Sequence, residues 1–476
     1  MSRDITHEDS DSNHELHFLT ATDLAQFRDP QTKKKVRSHI QRGRQRNRKQ
    51  AHHNRKGEFV LDTSMLAPTG SSSSNQANEK LGTALSVPHP SDLGSGRSDP
   101  FKRYPIDMSL RNHELFDHLQ GKDCSMFKTL NRIGFLQLVQ HEAAFRQIIC
   151  TSSTDMARLR NVKEQDVEVA SLSGKAIRSL SKLVADPMLC TGEEIIVSVL
   201  TFACHCVLFN DSHGILTHFQ GLEEIIKRKG GIQGACSSQV LRTMIFWLDV
   251  NAAFLLDRPP RFLIPSDILP SLDPGLPNLS ATSPLTRMRG SSIFVSAIAN
   301  LVNLSQFIIK EMSVRDIWDD GVFAGLYVVP VISKFLSIPH NIINQNPVLL
   351  RQEMCRLGAL LYLAGIRQRF GVELHLEIYV SKLKLVLAIP TQDHDVLLSL
   401  WLLVLGGVQS FLSEHHGWFV SATADLITRL QYSFWDEVMV ALNQVVWIEG
   451  LLGAEFENFR MEITSILWEK SEYWLR

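Results

Sequence analysis

The first cysteine of this 476-residue chain is Cys124. The seven cysteines stand at 124, 150, 190, 204, 206, 236 and 355, and no Cys-x-x-Cys pair occurs. A zinc–thiolate centre needs close ligand pairs to fix its tetrahedron, so the chain encodes no cysteine-rich DNA-reading cluster. An odd, scattered set of cysteines also excludes a disulfide framework and reads as reduced thiols. Long apolar runs are scarce as well. Ile195–Phe209 is fifteen residues long and holds His205, and Val396–Leu412 is seventeen and holds Ser399, Gln409 and Ser410. A membrane span needs about twenty apolar residues without such polar atoms, so both runs read as buried core helices, and no membrane partner is expected. Met1–Leu16 is polar and carries Asp4, Glu8, Asp9, Asp11 and Glu15, so neither a secretory signal nor a mitochondrial presequence is expected.

Catalytic signatures are missing too. No Gly-x-Ser-x-Gly elbow, phosphate loop or dinucleotide fingerprint occurs. His141-Glu142-Ala143-Ala144 begins like a zinc-protease helix, but Phe145 stands where the second His ligand should be, leaving a surface pair on a core helix. Cys204-His205-Cys206 places three ligand types in a row. On a helix adjacent side chains diverge by about 100°, so they cannot close on one metal and read as buried small side chains. Glu373, His375 and Glu377 share a face only if extended, and the stretch reads as exposed helix. No enzyme, metal or cofactor is expected.

Charge is the feature that is present. The formal net charge is −1, but this is a cancellation. Arg28 to Lys56 holds 12 Lys/Arg and a single acid, Asp29, for a charge of +11. The remainder holds 37 Lys/Arg against 49 Asp/Glu, or −12. A short basic arm is attached to a mildly acidic body. Residues 1–17 read as a disordered polar tail, 18–56 as the basic arm, and 57–100 as a linker in which Gly, Ser and Pro fill 18 of 44 positions. From 101 to 476 the chain reads as one large helical domain. All eight Trp fall there, between Trp247 and Trp474, and apolar residues recur at helical spacing.

Thr191-Gly192-Glu193-Glu194 has the form of a capping box, opening a helix that runs to Leu208. A second helix spans Ile215–Lys229, with Phe219, Leu222, Ile225 and Ile226 on one face, and stops at Gly230-Gly231. The cations Lys227, Arg228 and Lys229 suit its C-terminal dipole. A third helix spans Leu241–Leu256. Residues 258–284 hold seven of the 18 prolines and form a long irregular excursion. Further helices are expected over Ser291–Met312, Gly321–Leu336, Pro347–Phe370, Leu374–Leu387, Val396–Leu412, Phe419–Leu430 and Asp436–Leu451. Alternating β-branched runs bounded by hairpin turns are absent, so the fold class is all-α, a large bundle-like domain behind a mostly disordered N-terminal region with a short basic helix.

Several segments carry a resemblance. Phe27-Arg28-Asp29-Pro30, followed by Lys35-Val36-Arg37-Ser38-His39-Ile40, resembles an N-terminal motif of fungal transcription-factor-like proteins, and Gly94–Pro105 looks like the same group's motif after the linker. His218-Phe219-Gln220-Gly221-Leu222 with Arg228-Lys229-Gly230-Gly231-Ile232 resembles a segment of the fungal-specific transcription factor domain. Cys355–Tyr362, Trp401–Gly407 and Trp418-Phe419-Val420 look like its later helices. The resemblance runs over roughly residues 18 to 450. It implies an all-helical regulatory domain and a nuclear transcriptional role. Many members carry an N-terminal binuclear zinc cluster, and its absence here puts direct sequence-specific DNA reading in question. His218 and Gly221 are expected to define the fold, the glycine by letting another helix approach.

The arm's candidate residues are Lys33, Lys34, Lys35, Arg37, Arg42, Arg44, Arg46, Arg48 and Lys49. Asp29 can cap a short helix and Pro30 suits its first position, and Val36 and Ile40 are four apart on it. Three readings stay open: a signal for a nuclear import receptor, a phosphate-contacting segment on DNA, and a solvated charge run. No aromatic lies between Phe27 and Phe59 to stack bases. Two functions follow. One is a nuclear transcriptional regulator whose helical domain mediates regulation or partner binding and whose basic arm gives nuclear import, with DNA contact left open. The other is a scaffold without DNA contact that senses a ligand, self-associates or acts through other regulators.

Overall fold

The structure, a computed structural model, describes residues 104–474 apart from 121–124, 161–165, 187–188, 190–191, 271–282, 286–287, 289, 340–345 and 390–394. All described residues lie in the unit spanning 63–476. The tail, the basic arm with its nine candidate lysines and arginines, and the linker lie outside the described residues, as does Thr191.

Among the described residues there is no strand. The helices are α1 (Leu110–Gln120), α2 (Ser125–Arg132), α3 (Phe135–Leu138), α4 (Glu142–Arg160), α5 (Asp166–Ala185), α6 (Glu193–Leu208), α7 (Ser212–Arg228), α8 (Ile232–Ala235) and α9 (Gln239–Leu256). After the proline-rich excursion come α10 (Ser292–Met312), α11 (Gly321–Phe323), a π-helical turn (Ala324–Val328) and α12 (Val329–Leu336). The chain finishes with α13 (Pro347–Arg369), α14 (Glu377–Leu387), α15 (Val396–Gln409), α16 (His416–Leu430), α17 (Trp435–Val445) and α18 (Gly453–Trp474). Sequence neighbours are mostly spatial neighbours. Thus α4 packs on α5 and α6, α9 on α6 and α12, α13 on α12, α14 and α15, and α16 on α15 and α18.

Local chemistry sets many boundaries. Asp211, Ser238, Ser291, Asn346 and Asp395 each accept a backbone N–H in the first turn of the helix they open, satisfying donors that have no intrahelical partner. Helix α7 closes as the glycine pair implies: Gly230 adopts φ +80, its N–H donates to the Lys227 carbonyl, and the Gly231 N–H donates to that of Ile226. This is the double bond of a Schellman stop.

Other expectations are corrected. Helix α6 opens on Gly192 without a side-chain cap, and the capping box expected from Thr191 lies outside the described residues. The stretch 321–336 is not one regular helix. Pro330 lacks the N–H that an α-helix would direct to an earlier carbonyl, and the π turn just before it absorbs the mismatch. Residues 372–376 are irregular, so Glu373 and His375 are exposed but not helical, and α14 starts only at Glu377. Helix α17 stops at Val445, six residues short of the expected end. The carbonyls of Val445 and Val446 are taken by Ser283 Oγ at 2.8 Å and Trp401 Nε1 at 2.9 Å, so they no longer serve a continuing helix. Helices α1, α2, α3, α5, α8 and α18 have no counterpart among the expected helices, and α4 only as the core helix under His141-Glu142.

The centre is built from α9, α13 and α15. Trp401 and Tyr362 are fully buried, with ring centroids 6.1 Å apart. Three glycines make the crossings possible. A Cβ at Gly358 would lie 2.3 Å from Leu402, at Gly406 2.2 Å from Phe419, and at Gly407 2.1 Å from Phe459. The Gly406-Gly407 pair thereby seats α16 and α18 on α15. By length and composition α9 and α10 could cross a membrane; 72% of α9 and 44% of the most apolar 18-residue window of α10 are buried in the fold.

Candidate functional site

The fold buries several charges, and their partners show what each does. Asp249, an acid inside the apolar helix α9, is fully buried. Its Oδ2 accepts the backbone N–H groups of Arg261 at 2.6 Å and Phe262 at 2.8 Å. Burial pushes its pKa up to about 6, with those two amides and the Arg261 charge working the other way. Asp249 thus pins the start of the proline-rich excursion. Arg261 then lies 5.4 Å over the Phe219 ring on α7 and 3.7 Å from Glu223. The segment expected to define the fold is therefore held from the far side by a residue sequence reading did not single out.

Arg356 lies at the heart of a second cluster. It is fully buried and donates to Asp257 through Nη1 at 2.8 Å and Nη2 at 3.1 Å. It also donates to Glu353 through Nε at 2.7 Å and Nη2 at 2.8 Å. Lys382 of α14 donates at 2.5 Å to Asp257 Oδ2, the oxygen that Arg356 Nη2 also reaches. Two cations face two anions, so the set is neutral. Burial opposes ionisation of Asp257, but Arg356 and Lys382 outweigh it and hold the carboxyl below its ordinary range. The same opposition at Arg356 is overcome by Glu353 and Asp257, which raise its pKa. The cluster ties α9, α13 and α14 together. Nearby, Tyr379 donates to the Phe254 carbonyl at 2.5 Å. Arg367 donates to Asn251 and lies 5.3 Å over the Phe254 ring. Burial lowers the Arg367 pKa to about 10.

The side chains weighed as metal ligands turn to different neighbours. Cys206 Sγ donates to Asp211 at 3.6 Å, and its thiol is pushed up to about 12 by burial and that carboxylate. His205 Nδ1 lies 3.1 Å from Thr151 Oγ1. Thr151 already gives its one hydroxyl proton to the Gln147 carbonyl at 2.8 Å, so His205 is the donor there. Burial lowers the His205 pKa to about 4, which keeps the ring neutral. Glu142 bonds Arg146 at 2.7 Å and Ser179 at 2.9 Å, while His141 Nδ1 accepts the Ala143 N–H at 3.1 Å. Glu373 pairs with Arg158 and Glu377 with His415, so these two acids point to different partners. Glu377, Glu414 and His415 approach one another closely enough to hold a cation. Lys384 Nζ is 3.5 Å from His415 Nδ1, however. Lysine only donates, so the ring proton belongs on Nε2, where it donates to Glu377 at 3.0 Å. The arrangement is a hydrogen-bond relay.

His218 packs its ring 5.4 Å from that of Phe202, as a fold-defining residue should. Gly221 does not: it is exposed, and a Cβ there would meet nothing within 4 Å. The small residue that α7 needs is Gly214, where a Cβ would lie 2.4 Å from both Cys206 and Asp211.

These arrangements define an all-helical domain whose buried charges serve its own packing. The family model of the fungal specific transcription factor domain matches residues 83–306. Residues 83–306, a little under half of the chain, are thus similar to a domain of transcriptional regulators. The matched segment takes in α1–α9, the Asp249 anchor, Asp257 and most of α10. Arg356, Trp401 and the Gly406-Gly407 pair lie beyond it. No curated protein and no solved structure matches the chain.

Proposed function

We propose that the chain is a nuclear transcriptional regulator whose helical domain receives a signal or partner and whose basic arm supplies nuclear import and phosphate contact. The observation that carries this reading is the domain match over 83–306 in a chain that also concentrates +11 of charge between Arg28 and Lys56. Short Lys/Arg runs are what import receptors read, and cations that neutralise phosphates release counterions on binding DNA. Such contacts position a protein but carry little sequence information.

The test is the distribution of a fluorescent full-length fusion with Lys33, Lys34, Lys35, Arg37, Arg42, Arg44, Arg46, Arg48 and Lys49 changed to Gln. The unaltered fusion should be nuclear and the neutralised one cytosolic. A fusion that is cytosolic in its native sequence under every growth condition would defeat the reading.

A second reading is favoured by the absence of any cysteine before Cys124, and so of a zinc cluster. In it the protein makes no DNA contact and reaches its genes through another regulator or a second copy of itself. Sequence-selective binding of the pure chain to a defined duplex would exclude it.

A further inference from the structure

An open groove of about 950 Å³ lies between the end of α13, the irregular stretch before α14, the turn after α15 and the head of α18. Its lining is mixed: beside polar groups, Phe411 and Leu412 are exposed apolar side chains, while Val408, Leu451 and Leu452 are buried behind them. Leu412 is out of keeping with an ordinary turn. It adopts φ +68, a left-handed conformation that side chains with a Cβ avoid, and it is 90% exposed. A strained leucine held in solvent at the mouth of a groove is an outlier from which a binding role follows more readily than a packing one.

The rim is acidic. Glu373, Glu377 and Glu455 line the groove, and Glu414 adjoins it 3.9 Å from His415. Arg158 neutralises Glu373, and the Arg369 guanidinium is turned over the Trp318 ring at 5.5 Å. Glu377, which also accepts from His415 Nε2 at 3.0 Å, and Glu455 are exposed. The floor is preorganised: Gln409 Nε2 donates to Gln368 Oε1 at 3.1 Å and to the Leu361 carbonyl at 3.4 Å. Gly365 leaves room there, since a Cβ would lie 2.5 Å from Leu452.

We infer that this groove docks a partner peptide whose leucine-like side chains meet Leu412 and Phe411 while flanking lysines or arginines face Glu377 and Glu455. The complement of the exposed Phe411 and Leu412 beside exposed glutamates is a basic amphipathic segment. This goes beyond the transcriptional reading and does not depend on it.

The test uses the full chain and three fluorescein-labelled peptides of one length, built of Leu/Lys, Leu/Glu and Ser/Lys, followed by anisotropy at about 0.15 M salt. The Leu/Lys peptide should bind about tenfold more tightly than either other, since one desolvated anchor is worth that much. Leu412→Asn should weaken it about tenfold. It should also leave the melting temperature unchanged or raised, because Asn tolerates the left-handed conformation and Leu412 packs on little. Glu455→Gln should weaken binding and flatten its salt dependence, whereas Leu263→Ser, at another exposed leucine, should change neither. Equal binding of the Ser/Lys peptide would show general attraction to an acidic body and overturn the proposal. So would a Leu412→Asn protein that binds normally, or one that melts earlier because the leucine is a packing residue.

Discussion

Arg356 and Asp257 form a two-pronged ion pair at the centre of the domain, with both side chains shielded from water and 99 positions apart in sequence. One comes from the last turn region of α9 and the other from the middle of α13, so the pair fixes the relation between the segment that matches the family model and the helices beyond it. A buried pair of this kind contributes little net stability when intact, because desolvation offsets the attraction. Its removal is another matter.

Replacing Arg356 with Met removes two hydrogen bonds from Asp257 and two from Glu353 and leaves both acids buried. Denaturant unfolding should show a loss of about 3–5 kcal/mol. Lys382→Met should cost clearly less, since Lys382 is partly exposed and Asp257 keeps its two bonds from Arg356. Equal losses would mean that the two cations share the role.

Asp249 gives a pH signature of a particular sign. Its folded pKa of about 6 lies above the ordinary 3.8, so the folded protein binds the extra proton first. Its contribution to stability is therefore largest below pH 4 and is lost as pH rises from 4 to 6. Carboxylates held low by partners, such as Asp257, Glu142 and Glu168, drive stability the opposite way. The difference between native protein and Asp249→Asn isolates the term. The native protein should gain on the variant as pH falls from 6 to 4. A pH-independent difference would contradict the assignment.

The glycines sort into two kinds. Gly406→Ala and Gly407→Ala would each force a methyl group into a ring of Phe419 or Phe459. Each should destabilise by about 1–3 kcal/mol in thermal or denaturant unfolding. Gly221→Ala meets open space on an exposed helix face and should stabilise by up to about 1 kcal/mol. The reverse order would restore Gly221 as a packing residue.

Much of the architecture was legible because its signals are local. The spans of α7, α9, α10, α13 and α15 follow from apolar spacing and the Gly230-Gly231 stop from residue type, whereas the caps at Asp211, Ser238, Ser291, Asn346 and Asp395 were not read. Helix ends set by distant partners were not legible: nothing near Val445 announces that Trp401 and Ser283 will take the carbonyls that close α17. The buried charges left a partial trace, since Asp249, Arg356 and Arg367 are charged residues in apolar helices. Their partners lie many residues away, so the clusters could not be assembled from spacing. Gly221 misled because a glycine beside apolar residues looks the same whether a helix crosses it or water does. The groove had no sequence signal, being built from four separated turns.

If the basic arm contacts phosphate, binding of the full chain to a random duplex pool should weaken steeply with salt. Removal of residues 1–60 should abolish it. Sequence-selective binding that survives this truncation would place DNA reading in the helical domain instead.

The central claim is regulation of transcription, and it can be separated from DNA binding by tethering. The full chain, fused to a DNA-binding domain from an unrelated protein, is brought to a reporter promoter and the transcript is counted. A rise or fall in transcript relative to the tether alone is the expected result. A fusion that occupies the promoter, as shown by chromatin precipitation, yet leaves the transcript unchanged would contradict the claim.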